Sequence, residues 1–531
     1  MPMRSGAKLT LAARWRSVAV LTLLGLTALV LGLAVGCGKE SAPSQTGTSA
    51  VTRGGVLRYA SSPSVNIDPA VASTGPDYQV VGLVYNYLVR LGPDFKLQPE
   101  LATSWKTPDG KTWTFELRKG VVFHDGHDFT SADVIYTFNR LKNPKTGSPV
   151  QSAFTNIASM KAVDDYTVVI NLKKVNGEFG LNLTQFQAAM EPVGFNSKSK
   201  PDGTGPFEYV SLVPDTRMVL EANPHYWRKG PNGEKLPYLA GVEIDYIPQI
   251  VGQVEAARGG EVDFVGGISY EEVQACKNDP AVKILTVVTN QHYSIHMRCD
   301  RGPSKDPRVR LALRLGTDTV TLAKVCRPGG LATAGNGTLV GPMYTAFYLN
   351  QPPPYDPKKA KELLAEAGYA HGLSITVQVQ DAWGCPEMAT VWKAMMKKIG
   401  VNVSINVVPT DVYYGTGPNN WLDCDYGITD WGSRASPLMY FSIEYVTGAP
   451  WSGSKWSDPA FDALCAKVEA TVDDQERANL YRQAQRMLLA SQPVIILYFE
   501  KVACITSAKV HNVTLNPEWD MTPFDEVWMS R

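Results

Sequence analysis

Residues 99 to 141 read PELATSWKTPDGKTWTFELRKGVVFHDGHDFTSADVIYTFNRL, and this stretch constrains the fold more than any other. Trp113, Phe115 and Leu117 alternate with Thr114, Glu116 and Arg118, the period of a strand with one face in a core. A turn follows. Thr130 then stands three residues before Asp133, a capping-box spacing, and Val134, Ile135, Phe138 and Leu141 continue at helical spacing. Strand-like and helix-like segments alternate in this way along the whole chain, which places it in the α/β class.

The N-terminus sets the compartment. Residues 1 to 16 carry Arg4, Lys8, Arg14 and Arg16 and no acid, and residues 18 to 36 are uncharged and mostly apolar. That is the layout of a secretory signal peptide, and the apolar run is also long enough for a plain membrane anchor. Ala34-Val35-Gly36-Cys37 favours the first reading, because small residues before a cysteine form a lipobox-like cut whose thiol takes a lipid. Residues 37 to 53 then read as lipid anchor and flexible tether, rich in Gly, Ser and Thr. Both readings put the body of the protein outside the cytoplasm. Without residues 1 to 36 the chain has 47 basic against 51 acidic residues. So mild an acidity gives no reason to bind nucleic acid.

Seven cysteines lie beyond Cys37, with no CxxC or Cys/His spacing of a zinc site. In an oxidising compartment the expected pairs are Cys385 with Cys424 and Cys299 with Cys326, and the odd count leaves at least one free thiol. The alternative is that each is a buried, reduced, small apolar residue.

Further landmarks follow the 99 to 141 stretch in order. They include Gly203-Thr204-Gly205-Pro206-Phe207 with Asn223, Tyr226 and Trp227 behind it, and Asp306-Pro307-Arg308-Val309-Arg310. YDPKKAKELLAEAGY at 355 to 369 has Asp356 as cap, Pro357 in the first turn, Leu363 and Leu364 facing inward and Gly368 as the stop. Trp456-Ser457-Asp458-Pro459 extends the series. Taken together these residues resemble the extracytoplasmic solute-binding proteins of the peptide and nickel ABC importers, family 5, over about residues 54 to 520. The resemblance implies a two-lobed periplasmic-binding-protein fold of type II, the Venus-flytrap arrangement, with an extra subdomain in the first lobe. The expected boundaries are 54–88, 196–291 and 506–531 for the core of lobe I, 89–195 for the extra subdomain and 292–505 for lobe II. A solute sits in the interlobe cleft, and hinge closure buries it.

His124-Asp125-Gly126-His127-Asp128 has metal-ligand residue types, but the family carries a similar turn in members that bind no metal, so a solvated turn is expected. His292 and His296 share one face of a strand with no third ligand near in sequence, and hinge packing is expected of them. No metal and no cofactor is expected. No GxSxG, GxxxxGKS or HExxH pattern occurs, so the chain is not expected to be an enzyme.

Aromatic residues of the second lobe are better candidates for the cleft. Trp383, Tyr413, Tyr414, Trp421, Trp431 and Tyr440 lie in the region from which family members line their pocket, with Tyr293 added from the hinge side. Aromatic faces offer contact area with few torsions to freeze, yet core packing serves each of them as well. In peptide-binding members a Trp at a strand end is followed three residues later by an Asp that takes the peptide's ammonium group. Here Trp431 is followed by Arg434. An arginine cannot accept a hydrogen bond, but its planar fork suits a carboxylate, sulfonate or phosphate. Where some members carry an Arg for the peptide carboxylate, Asp381 stands ahead of Trp383. The two charges of the pocket are then exchanged, or Asp381 and Arg434 pair with each other.

The expected function is therefore that of a lipid-anchored, monomeric receptor that hands a peptide-like or acid-bearing solute to an ABC permease. A sensory or chaperone-like binding protein of the same fold is the alternative, and an exported hydrolase a weaker one.

Overall fold

The computed structural model describes residues 51 to 531 except 65, 93–95, 197–199, 352–354, 419 and 519–521. The expected signal peptide, most of the expected tether and the expected lipidation site at Cys37 lie outside the described residues.

The first lobe opens with β1 (Val56–Ser61) and α1 (Gly75–Val84), whose start is held by a Thr74–Asp77 capping box. A small subdomain is inserted next. Its sheet takes the order β2, β3, β5, β4, from β2 (Ala102–Lys106), β3 (Thr112–Leu117), β4 (Ile157–Asp164) and β5 (Thr167–Leu172). Trp113, Phe115 and Leu117 of β3 are buried, and α2 (Ser131–Lys142) starts at the Thr130–Asp133 capping box and covers the same core with Val134, Phe138 and Leu141. The chain returns to lobe I through β6 (Phe207–Val213), β7 (Arg217–Ala222), β8 (Gly241–Tyr246) and β9 (Phe264–Ile268).

It then runs into β10 (Val282–Met297), a single strand of 16 residues. Lobe II follows: α3 (Pro307–Leu315), α4 (Thr319–Cys326), α5 (Pro357–Glu366), β11 (Leu373–Gln380), α6 (Cys385–Lys398), β12 (Val401–Val408), β13 (Tyr426–Trp431), α7 (Pro459–Ala470) and α8 (Asp474–Ser491). The strand β14 (Val494–Ser507) leads back.

One sheet runs through both lobes in the order β12-β11-β13-β10-β14-β9-β1-β8-β7-β6. Antiparallel β10 and β14 are its middle. Val282 to Val288 pair with Ser507 to Lys501 beside β9, whereas His292 to His296 pair with Phe499 to Val494 beside β13, and the register shifts between Val288 and His292. Strand β10 and strand β14 thus change their outer neighbours at residues 288–292 and about Glu500, from β9 to β13.

In lobe II the sheet is covered on both faces. Tyr426, Ile428, Tyr293 and Ile295 face the core under α3, α5 and α6, and Trp431, Val494 and Ile496 face the one under α7 and α8. Period-2 alternation thus sends neighbouring residues of β13 into different cores. Among the described residues no helix is long and apolar enough to cross a membrane.

Candidate functional site

β13 ends at Trp431, and the loop behind it faces the small subdomain. Backbone atoms hold this loop in place. Tyr440 donates its hydroxyl to Gly432 O at 2.7 Å, Tyr344 donates to Arg434 O at 2.6 Å, and Asn290 N–H donates to Ser433 Oγ at 3.0 Å. Ser436 caps the following helical turn by accepting from Leu438 N–H. Arg434 is left with its guanidinium 5.9 Å over the Tyr440 ring and a 3.4 Å contact to Ser433 O. No carboxylate among the described residues pairs with it. It lines a cavity of about 820 Å³ whose other walls include Trp451 and Leu438 of lobe II and Asn176, Glu178 and Leu181 of the subdomain.

A second cavity, of about 390 Å³, lies between the same two bodies and is lined by Trp105, Trp113, Tyr344 and Phe347. Glu178 and Ser436 are in the walls of both. A third, of about 490 Å³, is lined by Tyr87, Arg118, Trp227 and Glu518 of lobe I and the subdomain. Burial pushes the Glu518 carboxyl up to about 7 against the pull of Arg434, so the two charges are within electrostatic reach. They stand on opposite lobes without forming an ion pair.

The sequence profile described as bacterial extracellular solute-binding proteins, family 5 middle, matches residues 96–453, well over half of the chain. The chain belongs to that family. It is a binding protein of the extracytoplasmic space rather than an enzyme. It is 29% identical over 482 residues to the glutathione-binding protein GsiB of Pectobacterium atrosepticum, covering 85% of this chain and 90% of the relative. Among solved structures it is similar to HbpA2 from Haemophilus parasuis, with a TM-score of 0.77, 22% identity and coverage of 90% and 100%. It is also similar to DppA from Helicobacter pylori in complex with the peptide STSA, with a TM-score of 0.67, 26% identity and coverage of 90% and 99%.

Within this family-5 frame the expected cleft residues part company. Arg434 reaches a cavity, and Trp383 is 63% exposed at the end of β11, with its carbonyl accepting from Arg327 at 3.4 Å. Asp381 is exposed and takes a 3.2 Å hydrogen bond from Thr410, so it does not pair with Arg434. Four of the expected aromatic residues are buried. Tyr413 is fully buried with its hydroxyl 3.0 Å from Thr429. Tyr293 packs 5.2 Å from the Tyr498 ring, Tyr440 lies under the Arg434 loop, and Trp421 wedges edge-on against Trp431. Trp431 itself is 4% exposed, in the same core as Tyr413, Trp421 and Tyr440.

Tyr413, Trp421, Trp431 and Tyr440 share the lobe II core behind the Arg434 loop, whereas Tyr293 packs in the core on the other face of the sheet. Asp430, on the opposite face of β13, accepts from Gln380 at 2.6 Å and from the Tyr414 hydroxyl. Glu178, Ser436, Tyr344 and Glu518 escaped sequence reasoning. Each is an ordinary polar residue with no motif around it, and only the fold brings it to the cleft.

The expected disulfides are not formed. Among the described residues Cys276, Cys299, Cys326, Cys385, Cys424 and Cys465 carry free thiols. Cys424 Sγ lies 3.5 Å from His296 Nε2, Cys299 donates to Met297 O at 3.3 Å, and Cys385 sits in the lobe II core beside Met388. Small apolar packing uses these thiols where bridging was expected.

The His124 turn is tied to the chain's return into lobe I. His124 Nε2 meets Gly205 O at 3.1 Å and its Nδ1 accepts from Gly203 N–H at 3.4 Å, and burial lowers its pKa to about 4. Asp125, His127 and Asp202 bring ligand atoms within 4.8 Å of one another on the surface, where such groups are common without an ion. His292 donates from Nδ1 to Asn290 O at 2.8 Å, and His296 from Nε2 to Cys424 O at 3.4 Å.

Proposed function

We propose that this protein is the lipid-anchored receptor of an ABC importer, and that its solute is a small peptide-like molecule held by an acid group on Arg434. The observation that carries the reading is the Arg434 guanidinium, which lines an interlobe cavity with no carboxylate among the described residues in ion-pair contact with it. A guanidinium gains most from a planar anion that can take two parallel hydrogen bonds. Glu518 on the other lobe offers an acceptor for an N–H of the same solute. The GsiB relatives are named for glutathione, an acid-bearing tripeptide, and DppA was solved with a peptide. Both belong to the chemical class that this pair of charges suits.

Capture proceeds by the lobes moving about the β10–β14 crossing. A solute that touches both lobes favours the closed form by the difference of its affinities for the two states. The permease then reads the closed form. Lipid on Cys37 would keep the receptor at the membrane face where that permease sits.

Native mass spectrometry of the protein purified from its own cell envelope tests the reading directly. The expected result is a co-purified carboxylic or phosphoric acid whose affinity falls in Arg434→Ala. A neutral or purely cationic solute, or one bound equally well by Arg434→Ala, overturns it.

A further inference from the structure

We infer that Glu178 is a conformational latch: it pins the small subdomain onto lobe II and so sets the width of the gap between them. The inference goes beyond the Arg434 reading and stands without it.

Glu178 lies just ahead of a short helical turn (Phe179–Asn182) of the subdomain, yet its carboxylate is satisfied wholly by lobe II. Ser436 Oγ donates to Oε2 at 2.6 Å and Tyr481 OH to Oε1 at 2.6 Å, while Arg477 Nε stands 3.4 Å from Oε1. The two hydroxyls are 2.7 Å apart, and Arg477 is itself fixed to Thr471 O and Val472 O at 3.0 and 3.1 Å. Lobe II therefore presents a preformed cradle of donors.

A carboxylate buried to this extent is costly unless it is paired and hydrogen-bonded. Burial does push the Glu178 carboxyl up, against the pull of Ser436, Tyr481 and Arg477. Separating the bodies would break the two hydrogen bonds from buried Ser436 and Tyr481 and the 3.4 Å contact with part-buried Arg477, which is why the contact acts as a latch.

The neighbouring backbone is built for the same approach. Gly177 N–H donates to Glu469 O at 2.7 Å. A Cβ at Gly177 would fall 2.1 Å from Thr471 O, so only glycine allows the subdomain this close. A Cβ at Gly110 in the adjacent hairpin would likewise come within 3.1 Å of Val472. The strut formed by Glu178 and Ser436 stands in the walls of the 820 and 390 Å³ cavities at once, dividing the space between subdomain and lobe II into two chambers.

Hydrogen exchange on the ligand-free protein tests this in the segments 174–181 and 466–474, one on each side of the latch, with thermal melting and the β13 and β14 segments as fold controls. Glu178→Ala is expected to raise exchange in both latch segments about tenfold while the controls stay unchanged. Ser436→Ala is expected to give part of the effect, and Gly177→Ala to reproduce it with the carboxylate intact. Equal exchange in wild type and Glu178→Ala overturns the inference. So does a rise shared by β13 and β14, which would mean general loosening. Arg434→Ala is expected to leave both latch segments unchanged, so the latch and the anion clamp fail separately.

Discussion

His292 and Trp431 stand opposite one another in the β10–β13 ladder, their rings within 12° of parallel and their centroids 6.4 Å apart. Both His292 Nε2 and Trp431 Nε1 are buried without a partner among the described residues. Burial holds the imidazole down to about 4, so it is neutral in the folded protein through the acidic range.

That depression has a sign. The unfolded chain protonates His292 near 6.5 and the folded one only near 4, so the unfolded state binds more protons between these values and stability is lost as pH falls through the window. His292→Phe keeps a ring against Trp431 and removes the titration. Relative to wild type it is expected to gain about 3 kcal/mol between pH 7 and pH 4, read from urea unfolding at each pH. A constant difference across that range would show that His292 is charged in the fold or solvated.

Glu444 runs the other way. Its carboxyl is buried in lobe II and pushed up to about 8, with no cation pulling it back, and Oε2 lacks a partner among the described residues. A folded pKa above the unfolded value means that stability is present in acid and lost as pH rises from about 4.5 through 8. Glu444→Gln, uncharged at all pH, is expected to match wild type near pH 4.5 and to exceed it by about 3 kcal/mol at pH 7. Unfolding curves for the two proteins that stay parallel from pH 4.5 to 8 would refute this.

The local elements were legible in the sequence because their causes are local. Alternation at Trp113, Phe115 and Leu117 and the caps at Thr130 and Asp356 each act within a few residues, and strand and helices form where they point. Arg434 was marked in the sequence by a departure from the family pattern, and it lines a cavity between the subdomain and lobe II. Rings such as Tyr413 and Trp421 suit a core and a cleft equally well, so composition could not sort them, and the fold placed them inside. Glu178 and Ser436 meet across 258 residues, a separation at which no spacing rule operates.

Arg434→Lys separates charge from shape. Both side chains are cations, but lysine lacks the planar fork that grips a carboxylate along two bonds. Titration with the solute released from the purified protein is expected to show a tenfold to hundredfold loss for Arg434→Ala, about 2 kcal/mol, and an intermediate loss for Arg434→Lys. Full affinity in the lysine variant would reduce the contact to simple charge.

The free thiols predict indifference to reductant. Excess dithiothreitol is expected to leave the melting temperature of a protein beginning at Val51 unchanged, and the urea-unfolded chain is expected to expose Cys299, Cys326, Cys385 and Cys424 as reactive thiols without reductant. In the native protein Cys299 and Cys326 are partly exposed, and burial pushes both up to about 11, so their alkylation at neutral pH is expected to be slow. A fall in melting temperature on reduction would restore the disulfides.

Trp383 joins strain to exposure. It is 63% exposed at a φ of 58°, in the left-handed region that a bulky side chain adopts only at a cost of about 1 kcal/mol or more. Glycine at this position would relieve the strain, although its own unfolded-state freedom offsets part of the gain. Trp383→Gly is therefore expected to be as stable as wild type or up to about 1 kcal/mol more so, despite losing an exposed indole ring. If the ring closes over the solute, affinity should fall severalfold in the same variant. Melting and solute titration on one preparation read both terms. Unchanged affinity would remove Trp383 from the site, and a clear loss of stability would show that packing, rather than the solute, holds it in that conformation.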